Sequence, residues 1–378
     1  MGARCAGVAV AAFLLAACSD EGKKVDVFDG DDGGIGSVDG GITSVGSDDG
    51  STSGSGDGSD AGTTGAGTDG GESDGGTTGA PPRFDVGNGD GAASTDDGIG
   101  GESGCDAVDF LFVIDNSGSM GDNQANLVAS FPGFIQAIQS SVTEANDYHV
   151  MVTDTDRAWG SFACGPFCAT LGACPAVANY PCSYMPTACD QTFGAGMVYP
   201  VGDDASNQIC PIPEGRRYLT PLVGNLAESF ECIASVGTDG DSTEQPIQAM
   251  TGALSDALNG PGGCNEGFIR DDAILVVIII TDEDDDTSNG SPAGWFANVV
   301  AAKGGGEGIV MIGLLNDVDQ PTPLCPVESD PQTNLTSFVE MFPNNFRGSV
   351  CAPNYADVLQ DAVQLIDSTC RDYVPPAG

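Results

Sequence analysis

Basic residues are scarce in this 378-residue chain. It has 11 lysines and arginines against 55 aspartates and glutamates, which gives a formal net charge of −44 at pH 7. Nucleic-acid binding depends on lysine and arginine side chains that neutralise phosphates, so we expect no nucleic-acid partner. The negative charge instead favours solubility and the attraction of cations.

Histidine is almost absent, because His149 is the only one in the chain. A hydrolase with an imidazole base would depend on this residue alone, and it stands at the start of an expected strand, where histidine is more often structural. The sequence also lacks a strand-elbow GxSxG, an HExxH and a phosphate loop. We therefore expect a protein that is not an enzyme.

The first 17 residues have the pattern of a secretion signal, with Arg4 followed by an apolar stretch at 8–15. The sequence LAAC then resembles the bacterial lipobox, which implies that a lipid is attached to Cys18 after cleavage. This predicts a lipoprotein of the bacterial cell envelope, on the outer membrane or the cell surface. The alternative is a soluble export signal with an incidental cysteine.

Composition divides the rest of the chain. Residues 18–104 consist almost wholly of Gly, Asp, Ser and Thr. With so few apolar side chains to bury, they cannot offset the entropy cost of ordering and are predicted to form a disordered linker. Residues 105–372 are globular in composition and are predicted to form one domain, with 373–378 as a tail.

Apolar segments in the globular part alternate between strand and helix patterns. This is typical of an α/β fold, a doubly wound and mostly parallel sheet flanked by helices. Pro132 lies inside the first predicted helix, which it is expected to kink or break. The predicted strands are 108–115, 148–153, 273–282 and 308–315, and the predicted helices are 123–142, 222–235, 244–258, 295–302, 335–342 and 355–368.

Cysteine is abundant, with 14 in the chain. Cys5 falls in the signal and Cys18 at the lipid site, which leaves an even number in an exported protein and predicts disulfides. An irregular segment at about 160–215 contains six of them, and we interpret it as an insertion held by disulfides. A zinc module is the alternative, but the segment has no CxxC pair and no histidine.

Two further disulfides are expected outside the insertion. We expect Cys105 to pair with Cys370, closing the domain where its ends should meet. We also expect Cys325 to pair with Cys351.

Oxygen-bearing side chains follow two of the predicted strands. The apolar run FLFVI ends in Asp115, Ser117 and Ser119, and Gly118 allows the backbone to bend so that these side chains converge. A second apolar run, AILVVIIIT, ends in Asp282. Hard oxygen ligands at the carboxyl ends of buried strands suit a small divalent cation, and open α/β sheets bind ligands there.

The two motifs together, DxSxS after one strand and TD after a later one, resemble the von Willebrand factor A (vWA) domain. In that family these residues form a metal-ion-dependent adhesion site (MIDAS). The resemblance covers residues 105–372 and implies that the hydroxyls of Ser117 and Ser119 bind the metal directly. It also implies that Asp115 and Asp282 lie nearby and often act through water.

The resemblance implies one more ligand, a threonine from a loop before a helix. We prefer Thr243, which stands immediately before the predicted helix at 244–258, and Thr238 is the alternative. The expected cation is Mg²⁺, with Mn²⁺ or Ca²⁺ as alternatives.

Neutral hydroxyl ligands leave most of the charge of the cation uncompensated. The cation therefore still favours a carboxylate, which an aspartate or glutamate of a partner protein can supply. The predicted function is an envelope lipoprotein that presents a metal-dependent domain for protein binding or adhesion. The alternative is a structural subunit of an envelope complex, in which the cation only stabilises the fold.

One feature departs from the family pattern. Glu283 replaces the usual glycine after TD, and three aspartates, Asp284, Asp285 and Asp286, follow it. The simpler interpretation is a solvated acidic loop at the rim of the metal site. The other is that Glu283 and Asp284 contribute ligands, or that the run forms an adjacent calcium site with Asp154 or Asp156.

Overall fold

Five parallel strands form the centre of the fold in the computed structural model, which describes residues 104–141, 147–327 and 329–375. The order across the sheet is β2-β1-β3-β4-β5. The strands are β1 (Ala107–Ile114), β2 (Asp147–Thr153), β3 (Ile274–Ile280), β4 (Ile309–Leu315) and β5 (Asn344–Ser349). The α/β class and the parallel sheet predicted from the sequence are confirmed.

The three middle strands are buried along their whole length. Strand β3 reads ILVVIII, and side chains on both of its faces enter a core. Continuous apolar runs of this kind are expected where helices cover both faces of a parallel sheet.

Helices cover the two faces in separate groups. Phe110 and Phe112 of β1 pack in one core with Phe131, Phe230 and Leu359, which lie on three different helices. The neighbouring β1 residues, Leu111 and Val113, pack on the opposite face in a second core. The helices are α1 (Gly121–Ser141), α2 (Gly165–Leu171), α3 (Leu226–Ala234), α4 (Pro246–Ala253), α5 (Asp256–Asn259), α6 (Pro292–Lys303), α7 (Thr333–Val339) and α8 (Ala356–Asp372).

Two predicted helices are shorter than the sequence suggested. Helix α3 begins after Asn225, whose side chain caps it by accepting a hydrogen bond from the Glu228 N–H. Helix α4 begins at Pro246, because proline suits the first turn of a helix but not its interior. Helix α1, by contrast, continues through Pro132, so the break allowed there does not occur.

Strand β5 and helix α2 were not predicted. Strand β5 reads NNFRGS and is half-buried along its length, so it has neither an apolar run nor a clean alternation. It lies at the edge of the sheet and pairs only with β4. Helix α2 lies in the insertion and has no buried residue, so no apolar stripe could indicate it.

Six disulfides link the described cysteines, and they confirm both pairings predicted outside the insertion, Cys105–Cys370 and Cys325–Cys351. Every cysteine of the insertion is bonded to another cysteine, which leaves no thiolate there for zinc. Two of these bonds are internal to the insertion, and two tie it to the rest of the domain: Cys164–Cys174, Cys168–Cys182, Cys189–Cys264 and Cys210–Cys232.

The predicted signal, the lipid site at Cys18 and the predicted linker up to residue 103 lie outside the described residues. Within the described ranges, no helix is long and apolar enough to cross a membrane.

Candidate metal site

The strand order reverses between β1 and β3, and the candidate site lies at their carboxyl ends. The chain goes from β1 outward to β2, then returns to form β3 on the other side of β1. The N–H of Asp115 donates to the carbonyl of Ile280 at 3.0 Å, which aligns the two strand ends. Such a reversal point is where open α/β sheets bind ligands.

The side chains of the two motifs meet at this point. The Oγ atoms of Ser117 and Ser119 are 3.3 Å apart, and Ser119 donates to Asp282 Oδ1 at 3.1 Å. Asp115 Oδ1 accepts a hydrogen bond from the Ser117 N–H at 2.7 Å, and its Oδ2 accepts one from Thr281 at 2.6 Å. All four motif residues singled out in the sequence are therefore brought together.

Asp115 is fully buried and faces no cationic side chain in this loop. Burial raises the pKa of its carboxyl, the hydrogen bonds from Thr281 and Ser117 act in the opposite direction, and Asp282 raises the pKa further. Its carboxylate is thus held in place by neutral donors. A divalent cation beside it would supply the missing positive charge.

A second loop is fastened against the first by Gln124 of α1. The Gln124 side-chain amide donates to the carbonyls of Asp115 and Gly237, at 3.0 and 2.8 Å, and its oxygen accepts from the Gly237 N–H. The Gly240 N–H donates to the Asn116 carbonyl at 2.9 Å. These bonds bring the loop that carries both candidate threonines to the rim of the site.

Neither threonine has its hydroxyl bonded to the serine pair. Thr238 lies beside the DxSxS loop, but its hydroxyl lies 3.3 Å from Asp204 Oδ2 and 3.4 Å from the Asp203 carbonyl. Thr243 is exposed, and its N–H donates to Asp241 Oδ1. The choice between the two threonines therefore stays open.

Glu244, next to Thr243, is the residue of this site that sequence reasoning missed. It is 4% exposed, and its Oε2 accepts a hydrogen bond from the Thr155 hydroxyl. Its Oε1 is buried and has no hydrogen-bond partner among the described residues. Burial, followed by repulsion from Asp115, raises the pKa of the Glu244 carboxyl to about 9. In the sequence, the pattern that marks a threonine ligand carries no signal for the acid beside it.

The acidic run after Asp282 is divided between two roles. Asp284 accepts hydrogen bonds from the N–H groups of Asn334 and Leu335 at the start of α7, and Asp285 accepts one from the Ile247 N–H in α4. These two aspartates therefore hold helix ends. Glu283 is exposed, and partial burial of its carboxyl, followed by repulsion from Asp115 and Asp282, raises its pKa.

Two aspartates were considered for an adjacent calcium site. Asp156 is engaged in hydrogen bonds, and Asp154 lies beside a small cavity. Asp156 accepts hydrogen bonds from the N–H groups of Ala158 and Asp241, at 2.5 and 2.6 Å. Asp154 lines a small cavity on the side of Trp159 and Asp239. Among the described residues, no three or more acidic side chains are grouped so that they could hold a metal at this place.

The donor set fits a hard divalent cation. In the part of the chain that the structure describes, no group of three or more His, Cys, Asp or Glu side chains is arranged to hold a metal. A cation here would therefore depend on the hydroxyls of Ser117 and Ser119 as well as on carboxylates. Glu244 Oε1 is a further buried oxygen of the second loop that has no hydrogen-bond partner among the described residues.

Comparison with known proteins adds little. No family model matches the chain, and the search of curated proteins found no match. One solved structure, proximal thread matrix protein 1 from the mussel byssus, aligns with a TM-score of 0.31 and 12% identity over 71% of this chain and 49% of that one. The chain thus spans about half the length of the mussel protein.

Proposed function

We propose that residues 105–372 form a cation-dependent protein-binding domain of the vWA type, carried by a cell-envelope lipoprotein. The observation that supports this most strongly is the contact chain from Asp115 through Ser117 and Ser119 to Asp282. It joins the two sequence motifs at the point where the strand order reverses.

The side chains have distinct roles in this proposal. Ser117 and Ser119 offer their hydroxyl oxygens to the cation, while Asp282 accepts a hydrogen bond from Ser119 and orients it. Asp115 is fixed by Ser117 and Thr281 and provides buried negative charge beside the hydroxyls. When bound, the cation supplies a positive centre that a carboxylate of a partner protein can approach. Mg²⁺ is the expected ion, with Mn²⁺ or Ca²⁺ as alternatives.

The location of the protein is part of the proposal. A lipid on Cys18 would anchor the chain in the envelope, and the acidic linker up to residue 104 would hold the domain away from the membrane. The charge of −44 favours a protein partner over nucleic acid.

Affinity capture from an envelope extract tests the proposal. The full chain is used as bait in Mg²⁺, in chelator, and as the variant Ser117→Ala, with Ser140→Ala, an exposed serine of α1, as the matched control. We expect the same partner to be captured by wild type and Ser140→Ala in Mg²⁺. It should be lost in chelator and with Ser117→Ala. Capture that is unaffected by chelator would contradict the proposal.

The buried, unpartnered Oε1 of Glu244 supports the alternative function, a scaffold role in which the protein is a structural subunit and the cation only stabilises the fold. An internal carboxylate can satisfy the cation without any partner, in which case the ion stabilises the fold alone. A Ser117→Ala protein that keeps its partner but unfolds at a lower temperature would support the scaffold role.

A further inference from the structure

One of the two oxygens of the Glu244 carboxyl group lacks a hydrogen-bond partner among the described residues. Its Oε2 accepts a hydrogen bond from Thr155, and the Thr155 hydroxyl also lies 3.1 Å from Asn116 Oδ1. This places the carboxyl group against the loop that begins at Asp115. Its Oε1 is as buried as the rest of the side chain and meets no donor among the described residues.

The surroundings of Glu244 make it energetically unfavourable to bury Oε1 as a charged and unpaired atom. The charged groups that act on it, Asp115, Asp156 and Glu283, are all acidic. Thr155, which donates to Glu244, is neutral, and so is Asn116, which the Thr155 hydroxyl also contacts. A buried carboxylate in such a place must either keep its proton or be paired with a cation.

We infer that Glu244 is an internal ligand of the cation at the Ser117–Ser119 site and binds it through Oε1. The inference rests on the proposed function, because it assumes that a cation binds there. It adds an anionic ligand to a site that was expected to have neutral hydroxyls as its direct ligands.

This ligand changes how the site works. With Glu244 bound, the charge of the cation is largely compensated within the chain. A carboxylate of a partner protein would then meet a cation whose charge is already partly neutralised, and would bind it more weakly than at a site with hydroxyl ligands alone. Release of the loop at 237–244 would restore that charge, so the loop would regulate partner binding.

Titration of the full chain with Mn²⁺ tests the inference. The proteins compared are wild type, Glu244→Gln, Ser117→Ala and a control, Glu231→Gln, which alters an exposed glutamate of α3. We expect Glu244→Gln to lower Mn²⁺ affinity at least tenfold, as loss of a supporting carboxylate does elsewhere, and Glu231→Gln to leave it within twofold. The water-proton relaxivity of each bound Mn²⁺ should rise in Glu244→Gln, because water enters the vacated position.

Thermal unfolding separates a ligand from a merely structural residue. In chelator, Glu244→Gln should unfold at the same temperature as wild type or higher, because it removes a buried unpaired acid. With saturating Mn²⁺ the order should reverse. Equal Mn²⁺ affinity in both proteins, or a loss of stability that is the same with and without Mn²⁺, would overturn the inference.

The same experiment distinguishes the two proposals. If wild type binds Mn²⁺ and Ser117→Ala does not, while Glu244→Gln binds as wild type does, the metal site stands and the role of Glu244 is refuted. If wild type binds no Mn²⁺, Mg²⁺ or Ca²⁺, the site itself is refuted and the inference with it.

Discussion

A buried aspartate lies at each end of β1, and the two are treated in opposite ways. Asp109, toward the amino end, receives hydrogen bonds at 2.8 Å from both the backbone N–H and the Nε of Arg270. His149 lies 3.5 Å away, and Lys303 acts on the same carboxyl. Asp115, at the carboxyl end, is equally buried, and the described hydrogen bonds to its carboxylate come from Ser117 and Thr281. The acid at the amino end of β1 is thus paired with cationic side chains of the chain, whereas the acid at the carboxyl end is held by neutral donors.

The comparison shows how a fold separates stability from binding. A buried acid with a fixed cationic partner stabilises the structure only while both are present. A buried acid held by neutral donors leaves negative potential at the surface, where a ligand can use it. Each prediction below alters one end of β1 and leaves the other intact.

The largest effect is expected from Arg270→Ala. It leaves Asp109 buried without its main partner, and we expect the free energy of unfolding to fall by about 3–5 kcal/mol. Denaturant unfolding in chelator, with the disulfides intact, measures it. Arg371→Ala removes the ion pair between Arg371 and Asp367 on the surface of α8 and should cost less than about 1 kcal/mol. Equal losses in the two variants would show that Arg270 does not hold the amino end.

The pH dependence of the free energy of unfolding also tests the amino end of β1, through the protonation of His149. Burial lowers the pKa of His149 to about 4, below its usual 6.5, so the folded state binds its proton less well than the unfolded state. Its contribution to stability is therefore lost as pH falls from about 6.5 to 4. Relative to wild type, His149→Gln should gain up to about 3 kcal/mol of unfolding free energy across that window.

Asp109 should behave in the opposite direction. Burial raises the pKa of its carboxyl to about 6, against the effect of Arg270, so protonation favours the folded state as pH falls from about 6 to 4. Asp109→Asn should lose that gain and fall behind wild type in the same window. Parallel profiles for the two variants would refute the opposed signs.

Cation addition should act on the carboxyl end alone. At a cation concentration 100 times the dissociation constant, the free energy of unfolding of wild type should rise by about 2.7 kcal/mol. Ser117→Ala should show little of this rise, whereas Arg270→Ala should show all of it on a lower baseline. Thermal unfolding with and without Mg²⁺ measures the difference. An equal rise in Ser117→Ala would place the bound ion elsewhere.

The smallest effect is expected at Gln124, which fastens the second loop to the site. Gln124→Ala leaves the Asp115 and Gly237 carbonyls and the Gly237 N–H without their partner, at a cost of about 1–2 kcal/mol. Cation affinity should fall as well, because Glu244 belongs to the loosened loop. Gln136→Ala, at an exposed position of α1, is the control and should change neither quantity.

The sequence was sufficient to predict those elements that a single physical signal determines. The runs at β1, β3 and β4 are short, largely apolar and rich in β-branched or aromatic residues, which predicts buried strands. The motif residues Asp115 and Asp282 follow directly from the ends of two such strands.

The sequence did not predict the features that depend on contacts between residues far apart in the chain. Strand β5 is stabilised by pairing with β4 and by ion pairs from Arg347 to Asp319 and Glu340, none of which a local pattern can reveal. The inward orientation of Glu244 likewise depends on Thr155, 89 positions away along the chain.

The bond between Cys105 and Cys370 also determines how the domain bears mechanical load. Gly104 donates to the carbonyl of Tyr373 at 3.3 Å, so the described chain enters and leaves the fold at the same pole. Tension applied through the residue before Cys105 would be shared between β1 and, across the disulfide bond, α8. A force on Ser117 and Ser119, at the carboxyl ends of the strands, would therefore not separate the strands at their amino ends.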